Sequence, residues 1–251
     1  MNKSPDFARL DELKARLDSF RPLPQAVVQN LHEDMVLRWT YNSNAIEGNT
    51  LTLLETKVVL EGITIGGKSL REHFETINHR EAINYVESLV GSAEIISEHE
   101  LKSLHRLILK NIDDENAGRY RSVNVQISGA RHRPPEHFRL VDEMEALFAW
   151  YRGAAQGLHP VHRAASLHSS FVKVHPFVDG NGRTARLLMN LELMKAGFPP
   201  TILPVERRME YYTALDRCHV DGDEAPFLAL MIDVVEASFE PYWFALGIGH
   251  D

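Results

Sequence analysis

Within one short stretch, His175 to Arg186, the chain gathers an imidazole, a carboxylate, a glycine-rich turn and two guanidinium groups. Gly180, Asn181 and Gly182 make a turn with almost no side-chain bulk, and the apolar run Leu187 to Met194 reads as a helix closed by Gly197 with Pro199 behind it. Such a turn points free backbone N–H groups outward at a helix N-terminus, which is a site for an anion. Arg183 and Arg186, at spacing i, i+3, share a face and extend that site towards a ligand carrying more than one phosphate. Asp179 offers a hard oxygen of the kind Mg²⁺ accepts while it also holds a nucleotide's phosphates. His175 precedes Pro176, which biases it to extended backbone outside a helix, where a neutral imidazole could take a proton from a hydroxyl. Phe177 is expected to face inward and anchor the loop. Singly these features are ordinary; base, metal ligand, anion turn and paired cations in one stretch are not.

The stretch resembles the signature of the Fic (filamentation induced by cAMP) family, H-P-F-x-[DE]-G-N-G-R-x-x-R, at every fixed position. The resemblance implies an all-α Fic fold, a helical bundle with a small β-hairpin flap. It also implies transfer of AMP from ATP to a hydroxyl side chain of a target protein, with pyrophosphate leaving. His175 would be the general base, and Asp179 would hold Mg²⁺. Gly180, Asn181, Gly182 and Arg183 would cradle the α- and β-phosphates, and Arg186 would meet the γ-phosphate.

A second signal lies upstream, in Ser43 to Asn49. Ser43 and Glu47 are four residues apart on one helical face, and Gly48 suits the left-handed position that stops a helix. A carboxylate at a helix C-terminus meets a like partial charge, so something positive should compensate it. The segment is similar to the inhibitory motif [ST]-x-x-x-E-[GN] of self-regulated family members, whose glutamate pairs with the second signature arginine. That implies a Glu47–Arg186 pair occupying the cation meant for the γ-phosphate.

The elements that must position these stretches read as helices almost throughout. Phe7, Leu10, Leu13 and Leu17 give a short amphipathic helix over residues 6–18, expected as a packing arm or dimer contact. After Arg21-Pro22-Leu23-Pro24 a second helix runs from about Gln25 to Ile46. Thr52 with Glu55, Ser69 with Glu72 and Ser97 with Glu100 are capping boxes that start three more. Val123, Val125 and Ile127 alternate with polar residues before Gly129, which predicts a hairpin; the resemblance makes it a flap whose edge aligns a target's backbone. Helices are expected over His137 to Gly153, from Pro160 to the signature, and from Pro226 to about Ala237. The resemblance places Tyr211 and Tyr212 at the adenine pocket, though core packing explains them equally well, and His219 stands near where some relatives carry a base-contacting asparagine. His159, His162 and His168 share no helical face and read as structural. The organisation expected is an N-terminal helical extension over 1–40 and a Fic domain over 41–240, with inhibitory helix (about 25–48), flap (about 121–135) and catalytic loop (175–186).

With 251 residues, 44% of them hydrophobic, the chain can bury a real core, and its net charge of -8 argues against a nucleic-acid-binding surface. The single cysteine, Cys218, excludes an intramolecular disulfide and a Cys-rich zinc site. Met1 to Asp6 lacks the apolar core of a signal peptide and no run approaches a membrane span, so a cytoplasmic protein without membrane or nucleic-acid partners is expected. Taken together, the sequence reads as a self-inhibited protein adenylyltransferase. It would use ATP and Mg²⁺, modify a Ser, Thr or Tyr hydroxyl on a protein, and be open to self-modification and homodimer formation. Three alternatives stay open: removal of AMP with Glu47 positioning water, Fic-type transfer of UMP, phosphate or phosphocholine, and a non-catalytic nucleotide sensor.

Overall fold

The computed structural model describes residues 6–92 and 95–248; residues 1–5, on which part of the signal-peptide reading rests, lie outside them. The described helices are α1 (Ala8–Asp18), α2 (Gln25–Ile46), α3 (Leu53–Leu60), α4 (Leu70–Val90), α5 (Glu98–Leu109), α6 (Leu140–Arg152), α7 (Pro160–Val174), α8 (Asn181–Lys195), α9 (Arg208–Asp216), α10 (Ala225–Ala237) and α11 (Glu240–Leu246). All three capping boxes form: the hydroxyls of Thr52, Ser69 and Ser97 accept from the first turn, and Glu55, Glu72 and Glu100 reach back to the cap N–H. Each fixes a helix start with about 1 kcal/mol.

The bundle is built around α8, which lies against α7, α4, α5 and α2. From Arg183 to Leu193 every residue of α8 is buried. A helix enclosed on all sides must satisfy its polar groups internally. Asn190 does so with both backbone groups of Thr201, and Glu192 with Arg163 Nε at 2.7 Å and the Tyr151 hydroxyl. At the opposite end Arg183 and Arg186 face the same requirement, and the partners they take define the site.

Helix α1 is a packing arm: Leu10, Leu13 and Leu17 are buried and the helix docks on α10. Helix α11 has no counterpart in the sequence reading, which ends its last helix at about Ala237; Pro241 sits in the first helical turn, where its missing N–H costs nothing, and Gly247 (φ +68°) closes the end. The predicted hairpin is corrected. Among the described residues no strand is present, and the backbone bond described within 121–135 is the turn contact Ala130 N–H to Ile127 C=O, 3.2 Å. Pro134 and Pro135 bring no donors to a ladder, and side chains hold the segment instead. No described helix is long and apolar enough to cross a membrane.

Candidate active site

The loop between α7 and α8 is moulded from beneath. His175 leaves α7 in the left-handed region (φ +51°, ψ +57°), not the extended backbone expected, while its N–H still caps Phe171 C=O at 3.0 Å. Phe177 is fully buried as expected, stacked on His105 with ring centroids 3.6 Å apart. His105 Nδ1 accepts from the Gly118 N–H (2.9 Å), which leaves Nε2–H to donate to Asp179 C=O (2.8 Å). Burial, reinforced by Arg183, pushes the His105 pKa down to about 4 and keeps the ring neutral for that double role. Asn181 Oδ1 and Nδ2 clasp the N–H and C=O of Phe177 at 3.0 and 2.9 Å. Its side chain is thus committed to the loop, and what Asn181 can offer an anion is its backbone. Gly180, at φ +75°, precedes the helix without a side-chain cap, so the first N–H groups of α8 face outward. A Cβ at Gly180 would press on Ile108 and His105 at 3.1 and 3.2 Å.

Two arginines and two carboxylates form a ring beside this turn. Arg183, 1% exposed, lies 3.3 Å from Glu75 Oε1 and 3.3 Å from Asp179 Oδ1. Arg71 closes the ring, with Nε on Glu75 Oε1 (3.1 Å) and Nη2 on Asp179 Oδ2. Burial would raise the Asp179 pKa, but Arg183, the Gly180 N–H and Arg71 outweigh it and hold the group below its ordinary value. A hard, ionised carboxylate fits Mg²⁺, yet among the described residues no group of three or more acidic, His or Cys ligands assembles. Phosphate oxygens of a substrate would have to complete the shell. Asn49 Nδ2 donates to Glu75 Oε2 at 2.9 Å, so the loop after α2 touches the same ring.

Arg186, 3% exposed, hydrogen-bonds to the C-terminal end of α2 and lies 6.0 Å from the centre of the Tyr211 ring. Nε donates to Ser43 Oγ (3.0 Å), and Nη2 to Ser43 C=O (2.8 Å) and Glu47 Oε1 (2.7 Å). Glu47 ends α2, with Gly48 at φ +99° behind it. A Cβ added to Gly182 would collide with Glu47 Oε1, so the carboxylate lies directly over the turn that opens α8. The two adjacent tyrosines part company. Tyr211 is buried, its hydroxyl 3.1 Å from His168 Nε2, whereas Tyr212 is 38% exposed and donates to Ile46 C=O at 2.9 Å.

Above the loop opens a cavity of about 720 Å³, reached by Glu47, residues 126–132, His175, Gly182, Tyr212 and His219. His175 Nδ1 lies 3.3 Å from Val172 C=O, an arrangement that assigns the proton to Nδ1 and the lone pair to Nε2. Burial pushes its pKa down to about 4, so it is neutral at pH 7. The cavity's outer wall is pinned by Arg131, which bonds Asp216 through its N–H (2.9 Å) and Nε (2.6 Å) and Asp221 through Nη2 (2.9 Å). His219 Nε2 is taken by Ser169 C=O at 3.0 Å, within the wall. His159 caps α7, His162 lies 3.6 Å from Glu224 and His168 meets Tyr211; they do not converge. His105, Arg71, Glu75 and Arg121 belong to the site without a motif to announce their roles; Arg71 falls within the Ser69–Glu72 capping box and Arg121 at the start of the expected flap, and His105 and Glu75 in no stretch that the sequence singles out.

Residues 95–193 match the Fic/DOC family. The chain is 38% identical over 239 residues to protein adenylyltransferase fic-1 of Caenorhabditis elegans, covering 93% of this chain and 46% of that protein. It is 37% identical over 245 residues to protein adenylyltransferase Fic of Nematostella vectensis, covering 96% and 57%. The chain therefore spans about half the length of these curated relatives. Among solved structures, a Fic-1 fragment from C. elegans has a TM-score of 0.85 at 36% identity, over 95% of this chain and 72% of that one. A Fic domain containing signaling protein from Bacteroides thetaiotaomicron has a TM-score of 0.88 at 28% identity, over 96% and 98%.

Proposed function

The chain belongs to the Fic/DOC family, and we propose that it is a self-inhibited protein adenylyltransferase, moving AMP from ATP to a Ser, Thr or Tyr hydroxyl of a protein. The observation that carries this reading is the stacking of three groups on one helix start: His175 Nε2 free towards the cavity, the open turn at Gly180 to Gly182, and Glu47 laid across that turn onto Arg186. The Nε2 lone pair takes the proton of the target hydroxyl as its oxygen attacks the α-phosphorus in line. The N–H groups at the start of α8 and Arg183 offset charge that grows on the phosphates. Asp179 would hold Mg²⁺ together with the phosphates, and the ion would supply further charge neutralisation at the leaving pyrophosphate. Arg186 is reserved for the γ-phosphate and is engaged by Glu47 at rest. Tyr212, facing the cavity, is the better adenine contact, with Tyr211 packed behind it.

The fold organisation that accompanies this reading is a Fic domain over 41–240 with the N-terminal extension docked against it. A site run on ATP, in a chain with one unpaired cysteine, suits a reducing, ATP-rich compartment such as the cytoplasm. The test compares wild type, Glu47→Gly and Glu47→Gly/His175→Ala for incorporation of label from α-labelled and γ-labelled ATP into protein. Strong α-labelling of Glu47→Gly alone is expected. Labelling from γ-labelled ATP would replace AMP transfer with phosphate transfer, and retained labelling in the double variant would remove His175 from the chemistry. Release of AMP from a modified target without ATP would favour the reverse reaction.

A further inference from the structure

We infer that Arg121 is a positioning residue for transfer: it fixes the backbone of the His175-Pro176 step and ties it to both ends of the segment that would receive the target. This rests on the function proposed above and adds the device that keeps base and target in one register.

Arg121 is 3% exposed and, among the described residues, has no carboxylate within ion-pair distance. Its donors go to backbone carbonyls instead: Nε to His175 (3.0 Å), Nη1 to Val123 (2.8 Å) and Nη2 to Pro135 (2.6 Å). Its own N–H donates to Pro176 C=O at 2.9 Å. Burying a cation without a counter-ion is costly, and it is tolerated here only because several dipoles converge on it. Burial accordingly lowers the Arg121 pKa.

The carbonyls it collects are informative. Two belong to His175 and Pro176, and His175 is in the left-handed region that a non-glycine residue rarely adopts. Such a conformation persists only where its surroundings over-determine it. Here the His175 N–H is held by Phe171 C=O and its C=O by Arg121 Nε, one from each side. The other two carbonyls, of Val123 and Pro135, are the roots of the segment 122–135, across which no strand ladder runs. One guanidinium thus closes that segment at its base and holds the base-bearing loop. Arg131 pins only the far side of the segment to α9 and the turn after it. A displaced root would carry His175 with it, and an in-line attack tolerates little misplacement.

The test uses Arg121→Lys and Arg121→Gln in the Glu47→Gly background. Expected is a 10- to 100-fold fall in kcat for α-label transfer, larger for glutamine, with the affinity for ATP measured by calorimetry unchanged within about twofold. The pH profile is the readout that a merely structural role would not move. His175 is depressed first by burial and then, among charges, by Arg121 and His132, with Glu47 and the Val172 carbonyl acting the other way. Arg121→Gln should move the acid limb of transfer upward, while Arg121→Lys should leave it in place. Wild-type kcat in Arg121→Gln, a loss of ATP affinity in step with kcat, or loss of cooperative thermal unfolding in both variants would overturn the assignment. Retained transfer in Glu47→Gly/His175→Ala would instead sink the general-base reading and is scored separately.

Discussion

Replacing Glu47 with glycine takes one of three acceptors from Arg186 and clears the space over Gly182. The lost bond is short, 2.7 Å, between a side chain 4% exposed and a carboxylate 32% exposed. Charge-assisted bonds contribute about 1.5–3 kcal/mol, and the partial exposure of the carboxylate argues for the lower half, about 2 kcal/mol. At about 1.4 kcal/mol per decade that is roughly 30-fold in the balance between latched and open sites. Incorporation of α-label should therefore rise by about 10- to 30-fold in Glu47→Gly, with Glu47→Gln, which keeps an acceptor and loses the charge, falling between. The same change must cost stability, because Arg186 stays buried without its carboxylate, held by Ser43 Oγ and C=O and by the Tyr211 ring 6.0 Å away. For a domain of this length about 2 kcal/mol corresponds to a Tm lower by about 4–8 °C. Magnesium and ATP at a hundred times Kd should add about 2.7 kcal/mol, enough to offset that loss. Equal labelling of Glu47→Gly and wild type, with the Tm loss present, would refute the reasoning: Glu47 would then be a structural counter-ion and not a latch.

Tyr212→Phe removes the hydroxyl that holds Ile46 C=O at the end of α2, a bond contributing about 1 kcal/mol, so basal labelling should rise about threefold to fivefold while Glu47→Gly labelling barely changes. Arg71→Gln frees Asp179 Oδ2 from a competing cation and should lower the Mg²⁺ concentration for half-maximal labelling; an unchanged Mg²⁺ titration would show that Arg71 does not compete. As the proposed general base, His175 would have to be neutral, and burial pushes its pKa down to about 4, so transfer should be flat above about pH 5 and fall below pH 4. Stability follows a different window. His105, His175 and His219 lie near 4 and His79 and His168 well below 6.5 when folded, so the unfolded chain binds more protons once pH drops under 6.5. Stability is therefore lost as pH falls from 6.5 towards 4, and a Tm that stays constant from pH 7 to 5 would count against their burial as neutral rings.

How much of this was legible in the sequence depended on whether a group acts through local spacing. The capping boxes, the α2 boundaries and the shared face of Ser43 and Glu47 are local, and each appears where its spacing puts it. The compensating charge that Glu47 needs was also inferable, since a carboxylate at a helix C-terminus is unfavourable alone. What the sequence hid is partnership across the chain. His105 and Phe177 are far apart in sequence yet stack face to face, and the Arg121 guanidinium serves carbonyls of the catalytic loop and of both roots of segment 122–135. Neither has a period or a motif. The flap was misread for a related reason: alternation at Val123, Val125 and Ile127 satisfies a strand's pattern, but a ladder also needs a partner strand, and Pro134-Pro135 denies one.

In the proposed function, the placement of Glu47 would let one residue govern the site. Its carboxylate stands between two helix ends of opposite sign, the C-terminus of α2, which repels it, and the N-terminus of α8, which attracts it. It occupies ground that suits an anion and holds the arginine that a terminal phosphate would use, so in the proposed latch it would act as an internal stand-in for phosphate. A single, partly exposed carboxylate is a weak competitor against a triphosphate, and for control that weakness is useful. If the pair were as strong as a fully buried one, nucleotide could not displace it; if it were a solvated surface pair, contributing under about 1 kcal/mol, the resting enzyme would leak. An intermediate strength, with Tyr212 and Asn49 tethering the same helix end to the cavity wall and to the Arg183 ring, would let a modest bias at α2 change the fraction of open sites by a large factor. Control is therefore expected to act on the seating of the α2 C-terminus, and much less on the phosphate turn, whose side chains are locked into the core.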